Sequence, residues 1–290
     1  LGEGIMIKNF LELNNDEKIL ALEFIKENEN TDLSLSQIEK ELTDKICNYG
    51  EGILFYFDEN EVVGKVAVIL EVVDKLETIY INKVVCPNYN KKILRELINN
   101  SLVFANKYNA KKVLLGIRSD NLLKLAQDIG LKRSYSSFNM VLSNREKVND
   151  VLDKIRLSKE NIEEYVDVYN KSFMDMPHGT YIEIEEAKSY LKNKNDNEDY
   201  FIVLDKGESI GFLNTIIKDK KAFFDIGLIK EYRGKGYGKK ILETAIQFLN
   251  EKQAEEICLT VIEKNSIAYE MYKKRGFKVY NKLSDWIELM

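Results

Sequence analysis

The chain has 290 residues, too many for one compact domain of ordinary size and enough for two, and 44% of them are hydrophobic, sufficient for real cores. With 31% charged residues, 2 prolines and 15 glycines, composition excludes a disordered or low-complexity chain. The net charge of -5 divides into -3 for residues 1–150 and -2 for the remainder, so neither half carries the basic field that draws nucleic acid.

No apolar run approaches the ~18–20 residues of a membrane span. No basic start, apolar stretch and small-residue cleavage site mark a secretory signal. Cys47, Cys86 and Cys258 are odd in number, far apart and set among apolar neighbours, which suits core thiols in a reducing cytoplasm. A single histidine and dispersed cysteines fit no zinc spacing, so no metal is expected. Abundant Lys, Asn and Ile suit an AT-rich bacterial genome. Residues 1–5 precede Met6, and Gly2-Glu3-Gly4 is encodable by a purine-rich stretch, so the natural start is expected at Met6.

In chain order, the first feature is a strand, tight turn and strand over Phe55–Gly64. It returns at Ile202–Gly211, with Asp58, Glu61 and Gly64 matched by Asp205, Glu208 and Gly211. Further on the offset becomes 144. Phe104, Asn106 and Ala110 then meet Phe248, Asn250 and Ala254, and the alternating Val113, Leu115 and Ile117 meet Ile257, Leu259 and Val261. Asn121 meets Asn265, and Gly130-Leu131 meets Gly276-Phe277. The chain therefore reads as a duplication. Each half is predicted to run helix, helix, three strands, helix, strand, helix and two strands.

In the second half helices are predicted near Ser158–Phe173 and Ile184–Lys194, then strands near Tyr200–Leu204, Ser209–Ile217 and Ala222–Ile229. A helix near Tyr237–Asn250, a strand near Glu256–Glu263 and a helix near Ser266–Lys274 follow, with final strands near Phe277–Tyr280 and Trp286–Leu289. The polar stretch Ser143–Val151 reads as the linker, giving expected domains of residues 1–145 and 151–290.

Chemistry enters with Arg233-Gly234-Lys235-Gly236-Tyr237-Gly238, followed by Lys239 and Lys240, between a predicted strand and helix. Glycines let a backbone curl close to a ligand. The first N–H groups of a helix lack internal partners and attract anions. A phosphate cradle with a basic rim follows. Its spacing fits neither a Walker loop nor G-x-G-x-x-G. The next motif, Asn265-Ser-Ile-Ala268 through Tyr272 to Gly276-Phe277, reads as a capped helix with Ala268 and Tyr272 on one face and a glycine terminus.

The two motifs in this order resemble the GNAT superfamily of N-acetyltransferases, through the Gln/Arg-x-x-Gly-x-Gly/Ala signature at Arg233, Gly236 and Gly238 and the Asn, small residue, Tyr, Gly-Phe signature after it. They cover about sixty residues, and the whole second half follows the family's element order. The resemblance implies an α/β fold with a mixed sheet, in two tandem GNAT-fold domains. It implies transfer of acetyl from acetyl-CoA to a primary amine by direct attack (the EC 2.3.1 class), without a metal. By it, the loop from Arg233 to Lys239 holds the pyrophosphate, and backbone groups near Gly227 and Leu228 pair with the pantetheine arm as an added strand. Asn265 helps hold the cofactor, and the Tyr272 hydroxyl serves the leaving sulfur.

A base must free the amine, and Asp225 is the first candidate, ahead of Glu231 and Glu263. His178 sits between the first two helices of the half, where family members vary to shape the acceptor pocket, and is a candidate for acceptor binding. The acceptor is open among a small metabolite, an antibiotic, a polyamine and a protein amino terminus, and the oligomeric state is not legible. A longer acyl-CoA, or a non-catalytic acyl-CoA-binding or protein-interaction module, are the alternatives.

The duplication tests the first half. Arg233 becomes Tyr89, and the three glycines become Asn90, Lys92 and Leu94. Tyr272 becomes Ala126, which has no proton to give. The first half is expected to be GNAT-like but catalytically silent.

Overall fold

The computed structural model of the chain describes residues 5–290 except 30, 144, 148 and 194, and of Ile5 the backbone alone. Residues 1–4, on which the expected start at Met6 bears, lie outside the described residues. Contacts divide the chain into two units, one of residues 1–136 with 284–290 and one of 137–283.

The first unit holds β1 (Ile5–Asn9), α1 (Asn15–Asn28), α2 (Leu35–Leu42), β2 (Ile53–Asp58) and β3 (Glu61–Ile69). It continues through the single turn α3 (Val73–Leu76), β4 (Thr78–Val85), α4 (Lys91–Lys107), β5 (Lys112–Ile117) and α5 (Asp120–Asp128). Local chemistry starts the helices: Asn14 with Glu17 and Ser34 with Gln37 form reciprocal capping boxes at α1 and α2. The sheet runs β1-β2-β3-β4-β5. β4 and β5 are parallel and the other pairs antiparallel. One face packs under α4 and α5 around Leu97, Leu115 and Ile81, the other under α1 and α2 around Phe10, Phe55 and Ile25.

The second unit holds β6 (Tyr135–Leu142), β7 (Asp153–Arg156), α6 (Ile162–Phe173), α7 (Ile184–Lys192), β8 (Glu198–Asp205) and β9 (Glu208–Lys218). Then come β10 (Lys221–Leu228), α8 (Tyr237–Glu251), β11 (Glu256–Ile262), α9 (Ser266–Arg275) and β12 (Phe277–Glu288). Its sheet order is β6-β11-β10-β9-β8-β7. Lys206 and Gly207 join β8 to β9 with φ of 51° and 86°, the pair of left-handed residues that a tight hairpin turn needs. Ile241, Ala245 and Leu259 pack between sheet and α8, while Tyr165, Val168 and Phe212 pack between sheet and α6.

The helices and central strands fall within a few residues of the predicted ones. The ends of each half do not. The short edge strands β1 and β7 carry no alternation that would announce them; β7 is largely exposed along its four residues. The two final strands expected after Phe277 are one continuous strand. Its last part belongs to the first unit, where Asp285–Glu288 pair antiparallel with Ile117–Leu114 of β5. Ser137–Val141 of β6 pair in turn with Ile262–Cys258 of β11 in the second unit. The halves thus exchange their last strands, and the polar stretch after Ser143 lies inside the second unit rather than between two. In the first unit Trp286 lies flat over Gly116, where a Cβ would meet its ring at 2.9 Å.

Among the described residues, no helix is long and apolar enough to cross a membrane. No group of three or more His, Cys, Asp or Glu there is placed to hold a metal.

α9 is tied to α8 by a buried ion pair between Arg275 and Glu243, and Arg275 also donates to the Glu146 carbonyl at 2.7 Å. Replacing Glu243 with Ala leaves a buried guanidinium uncompensated, and a loss of about 3–5 kcal/mol of unfolding free energy is expected in urea titration. A loss below about 1 kcal/mol would mean that the pair does not hold the two helices together.

Candidate active site

The site begins where two parallel strands part. β10 and β11 are in register only over Lys221–Phe223 and Glu256–Cys258. Beyond that, β10 stays paired with β9 to Leu228, while β11 follows β6. A gap opens between them, with α8 beginning beyond the end of β10 and α9 beyond the end of β11.

The ladder with β9 fixes which groups face the gap. Ile229 N–H donates to the Ile210 carbonyl at 3.0 Å. In an antiparallel ladder hydrogen-bonded residues alternate, so Gly227 turns its backbone toward Phe212, while Ile226 and Leu228 turn theirs toward the gap. Gly227 therefore has a different use from the one the resemblance implied. A Cβ there would lie 2.4 Å from the Phe212 ring and 2.8 Å from Ser172 Cβ, so its bareness lets α6 close on the sheet.

At the other side of the gap, Gly234 and Gly236 have φ of 75° and 88°, and a Cβ on either would meet nothing within 4 Å. These two glycines are required by backbone conformation, and the space before them is open. Gly236 is the N-cap of α8 and can supply no side-chain cap, and no acidic residue occupies the first turn. The N–H groups of Tyr237 and Gly238 consequently face outward at the positive end of a 15-residue helix. Gly238 has a second reason to be bare, since its Cβ would lie 3.2 Å from Met271 Sδ on α9.

Lys235 and Lys239 are exposed beside the loop. Tyr237 is anchored by its hydroxyl, which donates to Asp205 at 2.7 Å. Arg233 is differently employed. Its guanidinium makes a two-pronged ion pair with Asp175 at 2.7 and 2.8 Å and donates to the Leu228 and Ser172 carbonyls at 2.9 and 3.0 Å. That clamp fixes the loop to the end of α6 and holds the Asp175 carboxyl below its ordinary pKa.

A cavity of about 140 Å³ lies in the gap. Asp225 and Ile226 form one wall, Val261 and Ile262 another, and Asn265, Ala268 and Tyr272 of α9 a third, with His178 from the segment after α6. Asn265 caps α9 by accepting the Ala268 N–H. Tyr272 is held edge-on to Phe277 at 5.8 Å between ring centroids. Burial pushes its phenol well above the ordinary range, and the Asp225 charge pushes further, so Tyr272 is protonated throughout the neutral range. His178 lies in this cavity with φ of 59°, a conformation a β-carbon tolerates poorly.

Asp225 stands where the gap cavity meets a second one of about 380 Å³ and lines both. Its side chain is exposed to solvent, and desolvation by the surrounding walls raises the carboxyl pKa. No described residue hydrogen-bonds to it or pairs with it. Glu231 and Glu263 line neither cavity.

The larger cavity is walled by residues that sequence reasoning passed over: Tyr169, Tyr190, Glu198, Tyr200, Asn214 and Thr260. They come from α6, α7, β8, β9 and β11, and no linear motif joins them. The only advance signal was the clustering of tyrosines at helical spacing, such as Tyr165 and Tyr169.

The second unit thus combines a mixed sheet parted at two parallel strands with an uncapped glycine-started helix and a buried tyrosine. Residues 159–277 match the model of the acetyltransferase (GNAT) family. An uncharacterized N-acetyltransferase of Methanocaldococcus jannaschii is 22% identical over 144 residues, 46% of this chain and 64% of that protein. The match thus spans a little under two thirds of that relative. The spermidine N(1)-acetyltransferase of Thermoplasma acidophilum is 29% identical over 140 residues, 43% of this chain and 86% of that enzyme. Among solved structures, a tandem GNAT protein from the clavulanic acid biosynthesis pathway superposes with a TM-score of 0.55 over 98% of this chain and 97% of that one. At 11% identity this last likeness is one of fold, and the tandem GNAT architecture is that fold.

Proposed function

We propose that the second half transfers an acetyl group from acetyl-CoA to a primary amine by direct attack, and that the first half is silent. The observation that carries this reading is the parting of β10 from β11, with the open N-terminus of α8 beyond the end of β10 and a cavity lined by Asp225 and Tyr272 between the strands. The residues fit acetyl-CoA by the space before Gly234 and Gly236, which a ligand's phosphates can enter, and by the outward N–H groups behind it. Tyr237 and Gly238 N–H groups receive the pyrophosphate, with Lys235 and Lys239 at its rim. Ile226 and Leu228 offer backbone to the pantetheine arm, and Asn265 bounds the same gap. Acetyl-CoA supplies the activated thioester.

Within the site Asp225 accepts a proton from the incoming ammonium. For an amine of pKa ~10.4, neutrality at pH 7 costs roughly 4.6 kcal/mol, and a carboxylate with a raised pKa is the better acceptor. The amine nitrogen forms the new bond to the acetyl carbon as the carbon–sulfur bond breaks, Tyr272 gives its proton to the departing thiolate, and the surplus proton of the new amide nitrogen returns to the Tyr272 oxygen through solvent. The Leu228 N–H, directed into the gap, is placed to polarise the carbonyl oxygen. Arg233 acts through the loop it clamps. His178 lines the gap cavity rather than the larger one, so its contact with an acceptor is at the reacting end.

The first half supports the silent reading by its own helix start. Asn90 caps α4 by accepting the Lys92 and Ile93 N–H groups, so the donors left open at α8 are taken by the protein itself. Leu94 and Ala126, at the positions of Gly238 and Tyr272, are fully buried in the core.

Calorimetric titration of acetyl-CoA into the whole chain tests both parts. One site per chain is expected, and Gly236→Val should abolish it, because a β-branched residue does not adopt the left-handed conformation required there. Two sites would overturn the silence of the first half, and no binding would overturn the assignment of acetyl-CoA.

A further inference from the structure

The larger cavity has a consistent chemistry. Three sheet strands present a grid on the face toward α6 and α7: Tyr200, Asn214 and Asp225 lie in register across β8, β9 and β10, and Glu198, Ile216 and Phe223 lie in register two residues away. All six line the cavity. Its charged wall residues are both acidic, Asp225 and Glu198, and no lysine or arginine lines it.

Between them stand tyrosine rings. Tyr190 and Tyr200 stack at 4.5 Å with planes 3° apart, and Tyr169 lines the wall from α6. Their hydroxyls are taken up by carboxylates, Tyr190 donating to Glu186 at 2.7 Å and Tyr200 to the wall residue Glu198 at 2.9 Å. The rings therefore present faces, which attract cations. Asp225, which lines the cavity without a protein partner, is the second and independent sign that a cationic group is to be met there.

Resting on the amine-acetyltransferase reading above, we propose that the acceptor is an aliphatic diamine, with one nitrogen at Asp225 and the other held by Glu198 beside the Tyr190–Tyr200 stack. Strand spacings of ~4.8 Å and rises of ~3.4 Å put the two carboxylate-bearing positions roughly 12 Å apart. With each nitrogen ~2.8 Å from its carboxylate, about 6–9 Å separates the nitrogens, a span of about four to six methylene groups. A monoamine of equal length fills the same volume and leaves the Glu198 charge with only the Tyr200 hydroxyl and no cation. Glu198 is thus the specificity-determining residue.

The test compares 1,5-diaminopentane with pentylamine, in wild type and in Glu198→Gln, whose fold is checked by thermal melting. Wild type should favour the diamine at least ten-fold in kcat/KM, and Glu198→Gln should reduce that preference at least ten-fold. Calorimetric titration of both amines into the protein loaded with coenzyme A gives the same comparison without turnover. Equal binding of the two amines, or a preference untouched in Glu198→Gln, overturns the diamine. Preferential diamine binding that depends on Glu198, without acetylation, supports the diamine and overturns the transfer reading instead.

Discussion

Tyr272→Phe is expected to lower kcat by about 10²-fold or more while leaving acetyl-CoA affinity within about two-fold, as befits loss of a proton donor used at bond cleavage. The ring is already seated against Phe277 and nine-tenths buried, so phenylalanine keeps the packing and removes only the hydroxyl. Burial and the Asp225 charge together hold the proton on Tyr272. A thiol's ordinary pKa of ~8.5 lies below a phenol's ~10, so transfer from Tyr272 is uphill on its own and is drawn forward by the acidic proton that the new amide nitrogen gives up. The measurement is steady-state release of coenzyme A thiol, paired with calorimetry for binding. Turnover within about three-fold of wild type would remove Tyr272 as the acid and leave water in that role. It would also reopen the reading as a binding module, which has no use for a buried donor beside the gap.

Asp225→Asn is expected to have the second large effect, and to move activity and stability in opposite directions. Turnover should fall by about 10²–10⁴-fold near neutral pH, the usual range for loss of a general base. In wild type the acid limb of kcat/KM should report a carboxyl titrating above the ordinary range, because desolvation raises it, and that limb should vanish in the variant.

Stability follows from the same shift. A carboxyl whose pKa is raised on folding keeps its proton in the folded protein where the unfolded chain has lost it. Between the ordinary carboxylate range and the raised folded value, stability therefore falls as pH rises, and the loss persists above that window. Asn carries no such penalty, so the variant should melt higher than wild type at neutral pH, and the difference should close as pH falls below the ordinary carboxylate range. A variant that is slower but no more stable would show that the Asp225 carboxylate is well solvated. That result would move the search for the base elsewhere.

These expectations concern residues that the sequence brought forward by different routes. Tyr272 came from a motif, since Asn265, Ala268, Tyr272 and Gly276 are near neighbours along one helix and its cap. Asp225 came from its place on a strand, and only the tertiary structure showed it to be unpartnered and shared by two cavities. The tyrosines and Glu198 of the larger cavity could not have been read in advance. They come from separate elements, and their neighbourhood is a product of strand register.

The sequence by itself determined the repeat, the order of the helices and central strands, and the two motifs at the mouths of α8 and α9. Each of these is local: apolar periodicity, a cap, or glycines where backbone torsion demands them. Only the tertiary structure decided which sheet receives each final strand, because alternation makes a segment a strand without naming the edge it joins. It also decided that the Arg233 guanidinium clamps the loop to α6, and that Ile226 and Leu228, not Gly227, face the gap. Those outcomes depend on hydrogen bonds between segments distant in the chain, which no local pattern encodes.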